Sequence, residues 1–340
     1  MGEPAKSIQR DRDFTGAVLA LRELTAADLE RVNTTILDHM QSSVTIIPEV
    51  AGHLINAGGK RLRLVVTLAA AQALGYTGNH HISLAAAVEL IHGATLLHDD
   101  VVDASKMRRG LKTANIVWGN KESVLVGDFL FSRSFELMVK TGSLKVLQIL
   151  SQAACVIAEG EVLQLATQKN TASTFEMYLD VVKAKTAELF ASAAQAGAVV
   201  AGSSESEEQA FRQYGLNLGI AYQLVDDALD YAGNEQDLGK TVGDDFREGK
   251  ITLPVVYAIA EARTAEEKAF WERTIGETRQ TEADLATAMD YMQRDDTISR
   301  TLDCARQYAD NALAALEQLP VNKVTTALAD LADLSVARAS

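Results

Sequence analysis

The chain has 340 residues, 47% of them hydrophobic and 23% charged, which supports a large buried core and excludes an intrinsically disordered protein. Forty-six acidic residues against 32 basic ones leave a net charge of −14, so nucleic-acid phosphates and anionic membrane surfaces are repelled on average. Only four prolines and 6% aromatic residues, beside abundant Ala, Leu, Glu, Gln and Lys, favour helices over strands.

Residues 1–14 mix both charge signs, lack the apolar stretch of a secretory signal, and carry Lys6 where myristoylation needs Ser or Thr. They are expected to form a flexible tail, with residues 15–340 making a single all-helical domain. Helical periodicity runs through 17–40, 60–74, 82–105, 122–139, 144–165, 174–201, 205–231, 253–265, 282–296 and 298–319. Short breaks such as Gly75 to Asn79 and Gly202-Ser203-Ser204 suit antiparallel neighbours in a helical bundle. One connection differs: residues 233–249 are glycine-punctuated and charged, as expected of a mobile loop over a polar site. No uncharged apolar run has membrane-spanning length. Cys155 and Cys304 match neither a disulfide framework nor a zinc spacing, and they read as small buried hydrophobes in a reducing cytoplasm.

Two acidic clusters dominate the chemistry. In LLHDDVVD, Asp99 and Asp103 fall one helical turn apart on one face, with Asp100 on the flank. Asp226, Asp227 and Asp230 repeat that spacing in LVDDALD. Both triplets come near the end of a predicted helix, where the macrodipole disfavours carboxylates and cations are needed. Hard oxygen ligands of this kind suit Mg²⁺, which binds one or two carboxylates together with phosphate oxygens, so a diphosphate substrate is indicated.

Cations for such a substrate follow in Gly58-Gly59-Lys60-Arg61-Leu62-Arg63, where an i, i+3 relation lets Lys60 and Arg63 grip one anion while Arg61 points elsewhere. Arg108 and Arg109 diverge as adjacent side chains and would serve different diphosphates. Further candidates are His92, Lys185-Thr186 within an apolar helix, Gln223 ahead of Asp226, and Lys240 and Lys250 bracketing the loop.

Taken together, GGKRLR, LLHDDVVD, RRG, GDFLFSR, Lys185-Thr186, AYQLVDDALDY and the loop from Gly239-Lys240 to Lys250 closely resemble the trans-isoprenyl diphosphate synthases, from about residue 15 to the C-terminus. The stretches around LLHDDVVD and GDFLFSR look like long-chain members that make quinone side chains. Leu64 departs from the proline usual after GGKRxR, with little effect expected because proline is tolerated but not required in a first helical turn.

The resemblance implies an all-α bundle with a central cavity, usually a homodimer, that condenses isopentenyl diphosphate head-to-tail with an allylic diphosphate primer. It implies that Asp99, Asp103 and Asp226, supported by Asp100, Asp227 and Asp230, bind three Mg²⁺. Lys60, Arg63, His92 and Arg109 would hold isopentenyl diphosphate. Arg108, Lys185, Lys240 and Lys250 would hold the allylic diphosphate, and Thr186 and Gln223 would turn oxygen dipoles on the allylic carbon. The released diphosphate would accept the proton, and the product would pass to a membrane prenyltransferase.

Terpene cyclases share the fold and first cluster but have no need of GGKRLR; a non-catalytic partner subunit would have lost a cluster that is present here. A short-chain C15–C20 synthase is the remaining alternative. Against it, Thr95 and Ala94, four and five residues before Asp99, are small where short-chain relatives carry an aromatic ring. Val88 and Ile91 would line a deep channel with Thr95, floored by Phe135, Met138 and Leu150, for a C40–C50 product.

Overall fold

Asp13 accepts a hydrogen bond from the Gly16 amide at 2.6 Å and so caps the first helix, α1 (Phe14–Leu24), in a computed structural model that describes residues 13–232 and 242–339. Phe14 is 4% exposed and belongs to the core, which corrects the expected tail by moving the fold's start inside it. The predicted helix over 17–40 is two helices, because the buried Thr25 hydroxyl donates to the Leu21 carbonyl at 3.0 Å and interrupts the chain before α2 (Ala26–Met40).

There follow α3 (Ile46–Asn56), α4 (Leu62–Ala73) and α5 (His80–Val102), then a two-stranded hairpin of β1 (Met107–Arg108) and β2 (Leu111–Lys112). Helices α6 (Ala114–Val117), α7 (Asn120–Lys140), α8 (Leu144–Thr167), α9 (Phe175–Val182), α10 (Glu188–Val200) and α11 (Glu205–Ala232) complete the main bundle. Among the described residues the expected all-helical fold holds apart from that hairpin. Beyond it lie α12 (Asp244–Arg247), α13 (Leu253–Ala260), α14 (Ala265–Trp271), α15 (Asp284–Arg294), α16 (Thr297–Leu316) and α17 (Lys323–Val336). The helices α3, α14 and α17 were not legible as separate periodic segments.

The sequence of α4, apolar on every side, predicts full burial, and all but two of its residues from Leu62 to Ala73 are buried. Glycines let the inner helices touch backbone to backbone. A Cβ on Gly197 of α10 would lie 2.5 Å from the Thr67 carbonyl oxygen of α4, and one on Gly215 of α11 would lie 2.3 Å from the Phe190 carbonyl oxygen. Helix α10 is thereby clamped between α4 and α11, the scaffold on which the site is built.

Helix α8 packs Val146, Leu150, Ala153 and Ile157 inward. By length and composition it is apolar enough to cross a membrane, although Lys145, Glu159 and Glu161 interrupt it. Its outer face leaves Leu144 and Val162 uncovered, and Cys155 is exposed there, not buried as expected; Cys304 is buried.

Candidate active site

The first acidic cluster ends α5. The Asp103 amide donates to the Asp99 carbonyl at 2.8 Å, which closes the last turn and leaves both carboxylates on the wall of a cavity of about 290 Å³. Asp100 faces the other way: it is 2% exposed and accepts from Arg108 Nη2 at 2.8 Å and Arg108 Nε at 3.0 Å.

Arg108 is placed by turn chemistry beyond the predicted helix over 82–105. Arg109 (φ 51°) and Gly110 (φ 79°) are both left-handed, the conformation of a type I′ turn between two paired strands. The tight turn sends the arginines apart, as expected. Arg108 reaches Asp100, whereas the Arg109 guanidinium covers Gly59 so closely that a Cβ there would lie 2.2 Å from Nη1. Gly59 itself has φ 139°, which an L side chain rarely adopts, and that backbone explains the second glycine of GGKRLR.

Lys60 and Arg61 precede α4 instead of lying in it, because Gly58, Gly59 and Arg61 all have positive φ. Arg61 does point elsewhere, to Glu89 at 3.0 Å and to Asn33. Arg63 Nη1 lies 3.3 Å from His92 Nε2; since guanidinium only donates, that nitrogen accepts and Nδ1 carries the proton. Burial, then the charges of Arg63, Arg109 and Arg108, hold the His92 imidazole well below its ordinary range, so it is neutral. Burial likewise lowers Arg63 to about 10, which leaves it charged at neutral pH.

Three aromatic rings hold these cations. Lys60 Nζ lies 4.6 Å from the Phe14 centroid, Arg63 lies 4.4 Å from Phe190, and Arg338 stands 4.9 Å from Phe14 and 4.8 Å from Tyr222. Arg63 Nε and Arg338 Nη1 are buried without a hydrogen-bond partner, which is the signature of a site that expects an anion. Phe14 and Arg338 come from opposite ends of the chain, and no local pattern marked either.

The opposite wall of the cavity is carried by a widened turn. At Lys183–Ala187 the helix takes π geometry, with the Glu188 amide donating to the Lys183 carbonyl five residues back. Lys185 and Thr186 both face the cavity from this turn. Lys185 Nζ bonds Glu161 Oε2 at 2.7 Å and lies 3.7 Å from Asp99 Oδ2. Burial, reinforced by Glu161 and Asp103 and opposed by Lys185 and Arg108, pushes the Asp99 carboxyl up to about 6.

In the second cluster Asp227 is 4% exposed and accepts from the Tyr178 hydroxyl at 2.6 Å and from Gln223 Nε2 at 2.7 Å. Burial and then the Asp245 charge push it up to about 7. Asp226 meets Arg338 Nη2 at 2.8 Å, and Asp230 accepts from the Asp245 amide at 3.1 Å. Lys250 lines the cavity and bonds Asp245 at 3.2 Å; Lys240 lies outside the described residues. Glu161, Tyr178 and Asp245 are site residues that sequence reasoning missed, since each is ordinary in its own helix.

The six expected metal acids are thus divided. Asp100 and Asp227 are buried and bonded to Arg108, Tyr178 and Gln223, whereas Asp99 and Asp103 stand open to the cavity. Among the described residues no three carboxylate, imidazole or thiol groups converge into a ready-made metal cage. Asp99, Asp103 and Asp245 still line the cavity as hard oxygen donors. That donor set fits a hydrated divalent cation that completes its shell with substrate phosphate.

The expected channel residues occupy one continuous apolar cluster. Ile91, Ala94, Met138 and Leu150 are buried in it and Phe135 packs against it, while the half-buried Thr95 donates to the His92 carbonyl at 2.9 Å.

Residues 44–292 match the family model described as Polyprenyl synthetase. The chain is 45% identical to octaprenyl diphosphate synthase of Escherichia coli K12, over 94% of its own length and 98% of that protein's. Among solved structures it resembles a polyprenyl synthase from Caulobacter crescentus CB15, complexed with calcium and isoprenyl diphosphate, with a TM-score of 0.91, 54% identity and coverage of 95% and 98% of the two chains. A decaprenyl diphosphate synthase from Rhodobacter capsulatus matches with a TM-score of 0.90 and 50% identity over 94% and 98%. The chain belongs to the polyprenyl synthetase family. Within it, this is a prenyltransferase of the long-chain, all-trans polyprenyl diphosphate synthase type, a class that works with a divalent metal.

Proposed function

We propose that the protein extends an allylic diphosphate with successive isopentenyl diphosphate units to a C40–C50 product for a quinone side chain. The observation that carries this reading is the adjacency of two sites of opposite character, which share Leu96 on their walls: an acid-lined cavity and a pocket edged by Gly58, Gly59, His92 and Arg109. One suits a metal-bound diphosphate, the other a diphosphate held by protein cations alone.

In this reading Lys60, Arg63, Arg109 and neutral His92 hold isopentenyl diphosphate. Arg108, Lys185, Lys250 and Lys240 hold the primer's diphosphate and take up its charge as the carbon–oxygen bond breaks. Thr186 and Gln223 present oxygen to the electron-deficient carbon, which the double bond of isopentenyl diphosphate attacks before a proton is lost. Apolar walls exclude water from that carbon. Asp99, Asp103, Asp226 and Asp230 would hold three Mg²⁺ with the primer, supplying Lewis-acid stabilisation of the leaving group.

The exposed Leu125, Val139, Leu144 and Val162 of α7 and α8 support a homodimer formed through these helices. Both cysteines are free thiols, which fits the reducing cytoplasm, from which product would pass to a membrane prenyltransferase.

The test is elongation by purified protein given Mg²⁺, labelled isopentenyl diphosphate and a primer, with products sized after phosphatase treatment. Asp99→Ala and Asp226→Ala should each lower turnover by orders of magnitude with unchanged helical circular dichroism. Absence of elongation by the wild type, or near-normal variants at limiting Mg²⁺, would overturn the assignment.

A further inference from the structure

We propose that Tyr178 is a positioning residue which, through Asp227 and Gln223, sets the direction of the Thr186 hydroxyl and hence which side of that group meets the reacting carbon. The proposal rests on the reaction assigned above and adds a residue to it.

Tyr178 stands on α9, 7% exposed, in one apolar cluster with Val182, Leu224 and Val225. Its hydroxyl leaves this apolar packing to donate to Asp227 Oδ2 at 2.6 Å. The other oxygen of the same carboxylate accepts from Gln223 Nε2 at 2.7 Å, one turn earlier on α11. Asp227 accepts on both oxygens in this arrangement, so the amide turns its NH₂ towards it; the flipped amide would set oxygen against oxygen in a buried place.

The amide oxygen is then committed to the opposite side, where it accepts from the Thr186 hydroxyl at 3.0 Å. A hydroxyl has a single proton. With that proton given to Gln223, only oxygen lone pairs of Thr186 remain for the cavity that it lines. Lone pairs stabilise an electron-deficient allylic carbon, whereas a hydroxyl proton aimed the same way would oppose its charge.

Tyr178 matters because it occupies the second oxygen of Asp227. Without that donor the buried oxygen lacks a partner, the carboxylate turns towards another, and the amide loses the acceptor that orients it. The tyrosine therefore acts on the transition state and not on substrate capture, and its effect must run through Gln223.

The experiment compares full-length wild type, Tyr178→Phe, Gln223→Ala and the double variant with Mg²⁺, primer and labelled isopentenyl diphosphate, recording kcat, both Michaelis constants and the thermal midpoint. Tyr178→Phe keeps the ring and its packing, so folding is expected to be retained. The expected result is a kcat about tenfold lower with both Michaelis constants within about twofold, and almost no further loss when Tyr178→Phe is added to Gln223→Ala.

An active wild type with an unchanged Tyr178→Phe kcat overturns the proposal alone. So does an equal loss in both backgrounds, which means a structural role, or a raised Michaelis constant at unchanged kcat. A wild type that does not elongate overturns the reading of the reaction and this proposal with it.

Discussion

The Arg338 guanidinium lies 2.8 Å from the Asp226 carboxylate, so the last described helical turn closes on the leading acid of the second cluster. A cation is thereby already seated where a metal ligand is expected. Arg338→Ala should lower the half-saturating Mg²⁺ concentration by about two- to fivefold, the range expected for a partly exposed ion pair. Activity titrated with Mg²⁺ at saturating substrates reads this; an unchanged or higher requirement would mean that the two cations do not compete.

Lys60→Ala and Arg63→Ala should raise the Michaelis constant for isopentenyl diphosphate more than that for the primer. Arg63 abuts His92, which lines the pocket with Arg109, and Lys60 follows Gly59 of the same pocket and faces Phe14. Steady-state kinetics with each substrate varied in turn decides; equal effects would show that the two diphosphates are wrongly apportioned.

Ala94→Phe should shorten the product towards C15–C20 without abolishing turnover, because the ring fills apolar space and touches no acid of either cluster. Ala94 is 1% exposed, so the added volume must also be felt as about 1–3 kcal/mol of lost stability. Chromatography of the dephosphorylated products, alongside thermal unfolding, separates the two effects. Full-length product from the folded variant would place the elongating chain elsewhere.

Gly215→Ala should cost about 1–3 kcal/mol, because its Cβ would lie 2.3 Å from a backbone oxygen that cannot move aside without shifting α10. Chemical denaturation of the variant measures it. A neutral result would show that α10 and α11 are free to separate.

What the sequence made legible was periodic or clustered. The acid pairs one turn apart and the alternating reach of Arg108 and Arg109 depend on chain-local geometry, and the structure brings Asp99, Asp103 and Arg108 to one cavity and Arg109 to the neighbouring pocket. The glycines of GGKRLR marked a special backbone, but that Gly59 lies under Arg109 required two distant segments to be placed together. Arg108 and Arg109 lie beyond the predicted helix over 82–105, and the sequence does not announce the positive φ at Arg109 and Gly110 that makes them a hairpin. Tyr178, Glu161, Phe14 and Arg338 were invisible because their partners lie 49, 24, 46 and 112 residues away. Spacing reports which face a carboxylate shares but not which arginine or tyrosine it bonds, as at Asp100 and Asp227.

The π turn at Lys183–Ala187 gives the cavity wall an unusual genetic fragility. It inserts one residue into an otherwise continuous helical path from Phe175 to Val200. Loss of a single codon within it would let the path relax to ordinary α geometry, better hydrogen-bonded than before, with the flanking helices keeping their faces while the widened turn itself disappears. Such a chain would keep its helices and packing glycines but lose the common aim of Lys185 and Thr186. For this protein the reading frame's length across five residues is as much a determinant of catalysis as their identity, and a survey limited to substitutions would never reveal it.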